Sequence, residues 1–551
     1  MVKMRRFAKK VTAVTLSSVL TASMIPMPVF AAEDVDHPVI VYDEDGGEYG
    51  NVTVEAEATA VMVFAMNDDA KVTTGDVTNG DGYGVVAVEM GGNESEVNTG
   101  SITSITSDGL ATGLMSYGDE KGSVVANVDG DITAGQRGVN ISNMGGNTSV
   151  EVTGYVFGEK SGIETISYSG GDNNVTVGGD VLSSKTAVSS LTSTGSKSNI
   201  VIGGNVEAGK NAVESGVHEG SDSNITVMGN ISGDETGIAM YTQSDSRNNV
   251  KVGGDVKGEE CGVVITRSED GATNNILIEG TLEGGEIGIA YPDKTPGGEE
   301  NDLSDTTLTV WKIEKNENGA VAGKETEEGE CEQDEDFEKN NIQYIIKVGQ
   351  PAAGATLKAT GEGGAALATV EGVTDTWSVA KEGETVLLKI DIQDGYALTG
   401  AYGDEGRTLA LLRDADGNYY IEVPKGGGVY LSVTLDRIID NGNKDEEEGK
   451  STSKEEENSY AVFNASVIQM ISSAAPGANV MIVAAGWTGL DKAVADALAL
   501  RPDISLTIRF VLDGIMYEVT IPAGTNIDAL RNESGGIDFI TLAGLFGARP
   551  V

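Results

Sequence analysis

The segment Val175–Val181, Val-Thr-Val-Gly-Gly-Asp-Val, returns at 200–206, 225–231, 250–256 and 276–282. Its central glycine belongs to a series at 75, 100, 130, 154, 179, 204, 229, 254 and 280, most often 25 residues apart. A fixed period of this length marks a stacked-repeat architecture. Two residues after each glycine stands an aliphatic side chain, from Val77 to Leu282. Before the glycine, pairs such as Val150/Val152 and Ile276/Ile278 alternate with polar residues, the period of a strand with one buried face. Nine residues after it comes a further apolar position: Val139, Ile163, Val188, Val213, Ile238, Val263 and Ile289. Each period therefore holds three short inward-facing strands.

Three short strands in about 25 residues close one turn of a parallel β-solenoid, with coils ~4.8 Å apart. The expected fold is mainly β: a parallel right-handed β-helix, followed by a small β-sandwich-like module and a small α+β domain. The glycines are expected to relieve corners that need positive φ. Asn174, Asn199, Asn224, Asn249 and Asn275 share one register, where stacked amides at a turn can form a ladder. The period lacks the leucine pattern of leucine-rich repeats and the Trp-Asp mark of propeller blades. Gly-Gly-Asp or Gly-Gly-Asn recurs once per coil, too rarely for nonapeptide calcium repeats.

Residues 1–31 read as a secretory signal peptide. Lys3, Arg5, Arg6, Lys9 and Lys10 precede an apolar Val11–Ile25 stretch, and Val29 and Ala31 fit cleavage after Ala31. No later run matches the ~18 apolar residues of a membrane span, so an exported chain without an integral membrane span is expected. The formal charge is −49, and removing the five signal-peptide cations leaves −54. Such a surface repels nucleic acid and anionic lipid, and could attract Ca²⁺.

Residues 32–70 alternate like strands but out of register, as an atypical first coil would, and read as the solenoid's N-terminal cap. The solenoid spans 71–291. Across 292–348, Leu308–Ile313 and Ile342–Val348 look like paired strands around an acidic stretch. Nine carboxylates between Lys324 and Glu338 are expected to form a solvated loop. Cys331 lies there and Cys261 at a coil corner, so a bridge pinning the loop to the last coils is one reading and two unpaired thiols the other.

Residues 349–437 change to short strands between Gly and Asp turns, a small all-β module. Gly383-Glu-Thr-Val386, Gly395-Tyr396 and the closing Val423-Pro424 and Val433-Thr-Leu435 resemble the divergent bacterial repeat modules related to internalin B-repeats. Gly400-Ala-Tyr402 departs from the Gly-Trp common there. The resemblance implies a spacer or adhesion module. Asp414-Ala-Asp416-Gly417-Asn418 matches the start of a calcium loop but lacks the downstream bidentate Glu, so a hairpin turn is preferred.

Residues 438–458 are a charged linker. Residues 459–551 show the order α-β-α-β-β-α. Asn464 can cap the first helix, Thr488–Asp491 reads as a capping box and Asp513-Gly514 as a hairpin turn. Arg501-Pro-Asp503, the hairpin to Thr520 and Ile521-Pro-Ala-Gly524 are similar to a C-terminal domain recurring on secreted proteins of anaerobic Gram-positive gut bacteria. No Leu-Pro-x-Thr-Gly sorting motif is seen, so non-covalent attachment is expected.

Catalytic, cofactor-binding and metal-binding residues are all assigned as none. The two histidines, His37 and His218, lack partners in metal or triad spacing. Lys160, Lys185 and Lys210 share a register that turns acidic at Glu235 and Glu260. A polar turn column is preferred to a lyase's basic row, with Lys210 facing Glu235. The sequence shows no aromatic row, because Tyr155, Tyr168, Tyr241 and Tyr291 occupy different registers of the 25-residue period. The expected function is an exported, non-catalytic adhesive or structural rod, with a glycan, host or envelope protein as partner and no nucleic acid. The alternative is a β-helical polysaccharide lyase or glycosidase.

Overall fold

A computed structural model describes residues 33–437 and 464–550, apart from short interruptions. The longer of these are 105–111, 295–300, 326–330 and 485–488. The signal-peptide and linker readings lie outside the described residues. The chain divides into two compact units at residue 440.

The first unit is a parallel β-solenoid. One coil shows the plan: Ser161–Ser167, then Asp172–Val177, then Val181–Ser183. Each strand pairs in parallel with its counterpart in the next coil: Ile163 with Val188, Val175 with Ile200, Val181 with Val206. The strands thus form three columns. The first column's sheet has thirteen strands, of which the last, Cys331–Gln333, is antiparallel. Twelve coils at the ordinary strand spacing give a rod of roughly 53 Å. Val175, Val181, Val188 and their counterparts are fully buried, each worth about 1.5–3 kcal/mol of transfer free energy.

The corner glycines act by close approach. Gly179, Gly204, Gly229 and Gly254 have no positive φ. A Cβ on Gly204 would lie 2.2 Å from Asp180 Oδ1 and 2.7 Å from the carbonyl carbon of Gly179, one coil away. The residue after the glycine explains the Gly-Asp/Asn pairing. Asp180 Oδ1 accepts the Asn205 N–H at 2.7 Å, Asn205 Oδ1 that of Asn230 at 2.9 Å, and Asn230 Oδ1 that of Asp255 at 2.8 Å. Asp34, Asn51, Asp76, Ser101 and Asp131 do the same for the earlier coils. A side-chain spine thus takes up corner N–H groups that the strands leave unpaired. Positive φ belongs to another corner, between the first and second columns, at Ser169-Gly170, Thr194-Gly195 and Glu219-Gly220.

The asparagine ladder is present but lies within the second-column strands, on their outward face. Nδ2 of Asn199, Asn224, Asn249 and Asn275 donates to Oδ1 of the preceding asparagine at 2.8–3.0 Å. A second polar line runs inside the rod, where first- and second-column strands converge. Thr165, Ser190 and Ser198 bond one another there, and Ser215 bonds Ser223 and Asn248.

Both ends differ from the sequence reading. Residues read as a cap form parallel coils: Val39–Tyr42 pairs with Val61–Ala65, and Val52–Val54 with Val77–Asn79. Coils of unequal length hid this register. Nor does parallel stacking stop at Tyr291. Thr306–Ile313 stacks on Thr273–Gly284, Ala322–Glu325 on Ile287–Pro292, and Ile342–Val348 on Thr306–Ile313. The acidic stretch folds onto the rod in its described parts. Asp334 caps the helix Glu335–Asn341, and Phe337 packs on Tyr291. The buried Glu338 carboxylate accepts from the Val321 and Ala322 amides and pairs with Lys425 at 2.7 Å. Those partners offset the cost of burying that carboxylate, so this part of a like-charged run expected to stay solvated packs inward instead. The cysteine bridge does not fit: two strands separate those of Cys261 and Cys331. That is about 14 Å across the sheet alone, where a disulfide needs less than about 7 Å between Cα atoms.

The module after residue 349 has two sheets. Ala355–Thr360, Thr385–Ile392, Tyr419–Glu422 and Leu412–Arg413 form one. Thr376–Ala380 and Tyr430–Arg437 join Ile342–Val348 in the other, so the hydrophobic core continues from the rod. Asp414 accepts from Asn418 N and Nδ2, both at 2.8 Å, closing a hairpin turn with Gly417 at φ 85°.

The second unit, taken by itself, is an α+β domain. Asn479–Val483 runs parallel to Ser505–Leu512, which forms a hairpin with Ile515–Ile521. Asp491, not Thr488, is the cap of the helix Lys492–Ala499, its Oδ1 accepting from Val494 N. Thr488 lies outside the described residues, as do Asp513 and Gly514. Asn464 is itself helical. Arg501 explains its own motif: its guanidinium donates to the carbonyls of Ile471, Ser472 and Ala474 and to both oxygens of Asp503.

Candidate functional site

The lysine register is a polar turn column. Backbone bonds run from Lys210 N to Lys185 O, Glu235 N to Lys210 O and Glu260 N to Glu235 O. Lys210 Nζ pairs with Glu235 at 2.9 Å, and that carboxylate holds its pKa above the usual lysine value. Lys160, Lys185 and Lys210 are exposed. His37 is exposed beside Asp36, and His218 is half-buried against Tyr241. Among the described residues no His, Cys, Asp and Glu group has metal-binding geometry.

Where the solenoid meets the β module, the Lys347 ammonium lies 3.8 Å from the Trp311 ring and 6.0 Å from that of Trp377. Burial pushes this lysine below its usual pKa, opposed by Glu405, Asp255 and Glu279. The nearly buried Glu279 accepts the Val373 amide, and Lys251 Nζ donates to the Glu371 carbonyl. These contacts fasten the module over the second column and occupy the Trp311 face.

The feature with the strongest binding character is the outer face of the first column in the N-terminal coils. Strand pairing places Tyr42, Phe64, Val88 and Tyr117 in one row. Beside them run Ile40 and Met62, with Val86 next in that row but buried, and on the other side Met66 and Met90. Tyr42 and Phe64 stack at 5.0 Å with nearly parallel rings. The Tyr117 hydroxyl meets the Met144 sulfur at 3.3 Å. Ile40 and Tyr42 are each 54% exposed, Met66 47%, Met144 44% and Met90 37%. Scattered single apolar residues are ordinary on a protein surface, but a contiguous patch marks an interaction site. Along these two rows the paired positions carry no charge as far as Asn140 and Ser142; Glu164, Glu214 and, beyond Tyr241, Arg267 bring it back. In the same coils the second column carries the Lys71–Glu96 pair.

The sequence reading missed this row because its residues are 22, 24 and 29 apart. A register anchored on the 25-residue glycine series cannot align them. Tyr241 belongs to the same row further along, through Ser142, Ile166, Leu191 and Gly216.

No family model, curated protein or solved structure matches this chain. No described helix is long and apolar enough to cross a membrane.

Proposed function

We propose that this chain is an exported adhesive rod that binds a glycan or a cell-surface protein through the outer face of its first-column sheet. The observation that carries the reading is the aromatic and methionine surface of the N-terminal coils, bordered by the Asp43 carboxylate, on a chain of formal charge −49. Aromatic rings offer apolar area with little side-chain entropy to lose, which suits recognition of a sugar face or a protein surface. The stacked coils hold those rings at fixed spacing. In this reading the β module is a spacer or adhesion module of the internalin-repeat type, export uses residues 1–31, and attachment is non-covalent.

The test is retention of the purified chain on a panel of immobilised glycans and cell-surface proteins, with product release followed in parallel. Retention that falls at least tenfold in a Tyr42→Ser, Phe64→Ser double variant supports the reading. New reducing ends or unsaturated sugar products would replace it with the carbohydrate-active enzyme alternative.

A further inference from the structure

The rod's two ends are not alike. At the far end the first-column sheet finishes on the short antiparallel strand Cys331–Gln333, which carries the charged Glu332, and the helix Glu335–Asn341 follows it. At the near end Val35 covers the third column, bridging to Val52. The first-column strand Val39–Tyr42 pairs on one side only, with Val61–Ala65. Val39 N–H bonds Ala60 O in that direction. In a parallel ladder bonding direction alternates along the strand. The backbone groups of Ile40 and Tyr42 therefore point outward along the rod axis, where no described segment meets them.

Natural edge strands are usually blunted by charge, proline or a bulge. Val-Ile-Val-Tyr carries none of these, and Ile40 and Tyr42 are each 54% exposed. We propose that two copies of this chain join head to head by antiparallel pairing of Val39–Tyr42. The two-fold axis passes at Val41. Ile40 of one copy and Tyr42 of the other then exchange N–H···O=C bonds, and the symmetry repeats this, giving four bonds. Their side chains pack as Ile–Tyr pairs on the outer face, while Val41 meets Val41 on the core side. The strand is self-complementary, with no like charge opposed, which favours a second copy over an unrelated peptide. The two-fold axis makes the interface isologous, so it closes at a dimer. It also joins two apolar faces into one of double length. The contact is small, and the acidic rods repel, so the dimer is weak and strengthens with salt.

Sedimentation velocity of the purified chain over a hundredfold concentration range, at low and high salt, tests this. The expected result is a concentration-dependent dimer favoured by salt. Ile40→Pro removes an outward N–H, which an edge strand tolerates, together with the Ile40 side chain of the Ile–Tyr pair, and should weaken dimerisation at least tenfold with an unchanged circular dichroism spectrum. Met144→Lys, on the same face but far from the edge, should dimerise normally. A monomer under all conditions overturns the proposal, as does dimerisation unaffected by Ile40→Pro or abolished by Met144→Lys. Slow amide exchange at Ile40 and Tyr42 in a monomer also overturns it, because the chain's own N-terminal residues would then occupy the edge.

Discussion

Two kinds of glycine hold this rod together, and substituting one of each separates their roles. Gly204 sits at the Gly-Gly-Asn corner, where an added Cβ would lie 2.2 Å from Asp180 Oδ1, 2.7 Å from Gly179 C and 2.8 Å from Asp180 N. The Asp180 side chain can swing aside, but it then loses its 2.7 Å bond from Asn205 N, at about 1 kcal/mol. The backbone atoms yield only if the coils separate, an overpacking cost of about 1–3 kcal/mol. Gly204→Ala should therefore cost about 3 kcal/mol. Gly195, at φ 73°, has nothing within 4 Å of its Cβ position. Gly195→Ala should cost about 1 kcal/mol through the left-handed backbone alone, and Gly195→Asn less, since asparagine tolerates that region. Urea unfolding followed by far-ultraviolet circular dichroism reads all three. With about 2.1 cal/mol/K of unfolding entropy per residue, 3 kcal/mol in a unit of about 400 residues lowers Tm by roughly 3–4 °C. The reasoning fails if Gly204→Ala is no worse than Gly195→Ala, or if asparagine at 195 costs as much as alanine.

Three further outcomes are expected. Asn224→Ala removes two rungs of the asparagine ladder and should cost about 1–2 kcal/mol by urea unfolding; no loss would make the ladder decorative. Arg501→Ala frees the helix-end carbonyls and Asp503, and should lower the melting of the 441–551 unit by about 2 kcal/mol while leaving the solenoid transition in place, as differential scanning calorimetry can show. Burial, with the bond to Asp334 next, raises the Tyr291 pKa above its ordinary 10.0. Folding then keeps the phenol neutral where the unfolded chain would ionise it, so this stability is present below pH 10 and lost as pH rises beyond it. Tyr291→Phe should flatten the fall in Tm above about pH 10, and an unchanged slope would contradict the assignment.

The solenoid and its aliphatic columns were legible because every coil must bury the same positions, and burial imposes a period. Val175, Val181 and Val188 announce their columns directly. The reason for Gly204 was not legible, since close approach between coils and positive φ both select glycine. The Asp180–Asn205–Asn230 spine was seen only as corner chemistry, because its bonds are between coils. Polar residues inside the rod, such as Ser190, Ser198 and Asn248, escaped notice because their partners lie about 8 or 33 residues away. The acidic end was misread for a related reason: Glu338 looks solvated until Lys425 is placed beside it. The aromatic row was hidden by unequal coil lengths, although each coil is plain once Tyr42 is aligned on Phe64.

Methionine oxidation footprinting tests the binding face most directly. Met66, Met90 and Met144 report on it, and the buried Met240 serves as an internal control. The chain would be exposed to dilute peroxide alone and with whichever immobilised glycan or surface protein retains it, and sulfoxide read by mass spectrometry. The account predicts that bound ligand slows oxidation of Met66 and Met90 severalfold. Unchanged oxidation at these methionines while ligand is bound would place the binding surface elsewhere and contradict it.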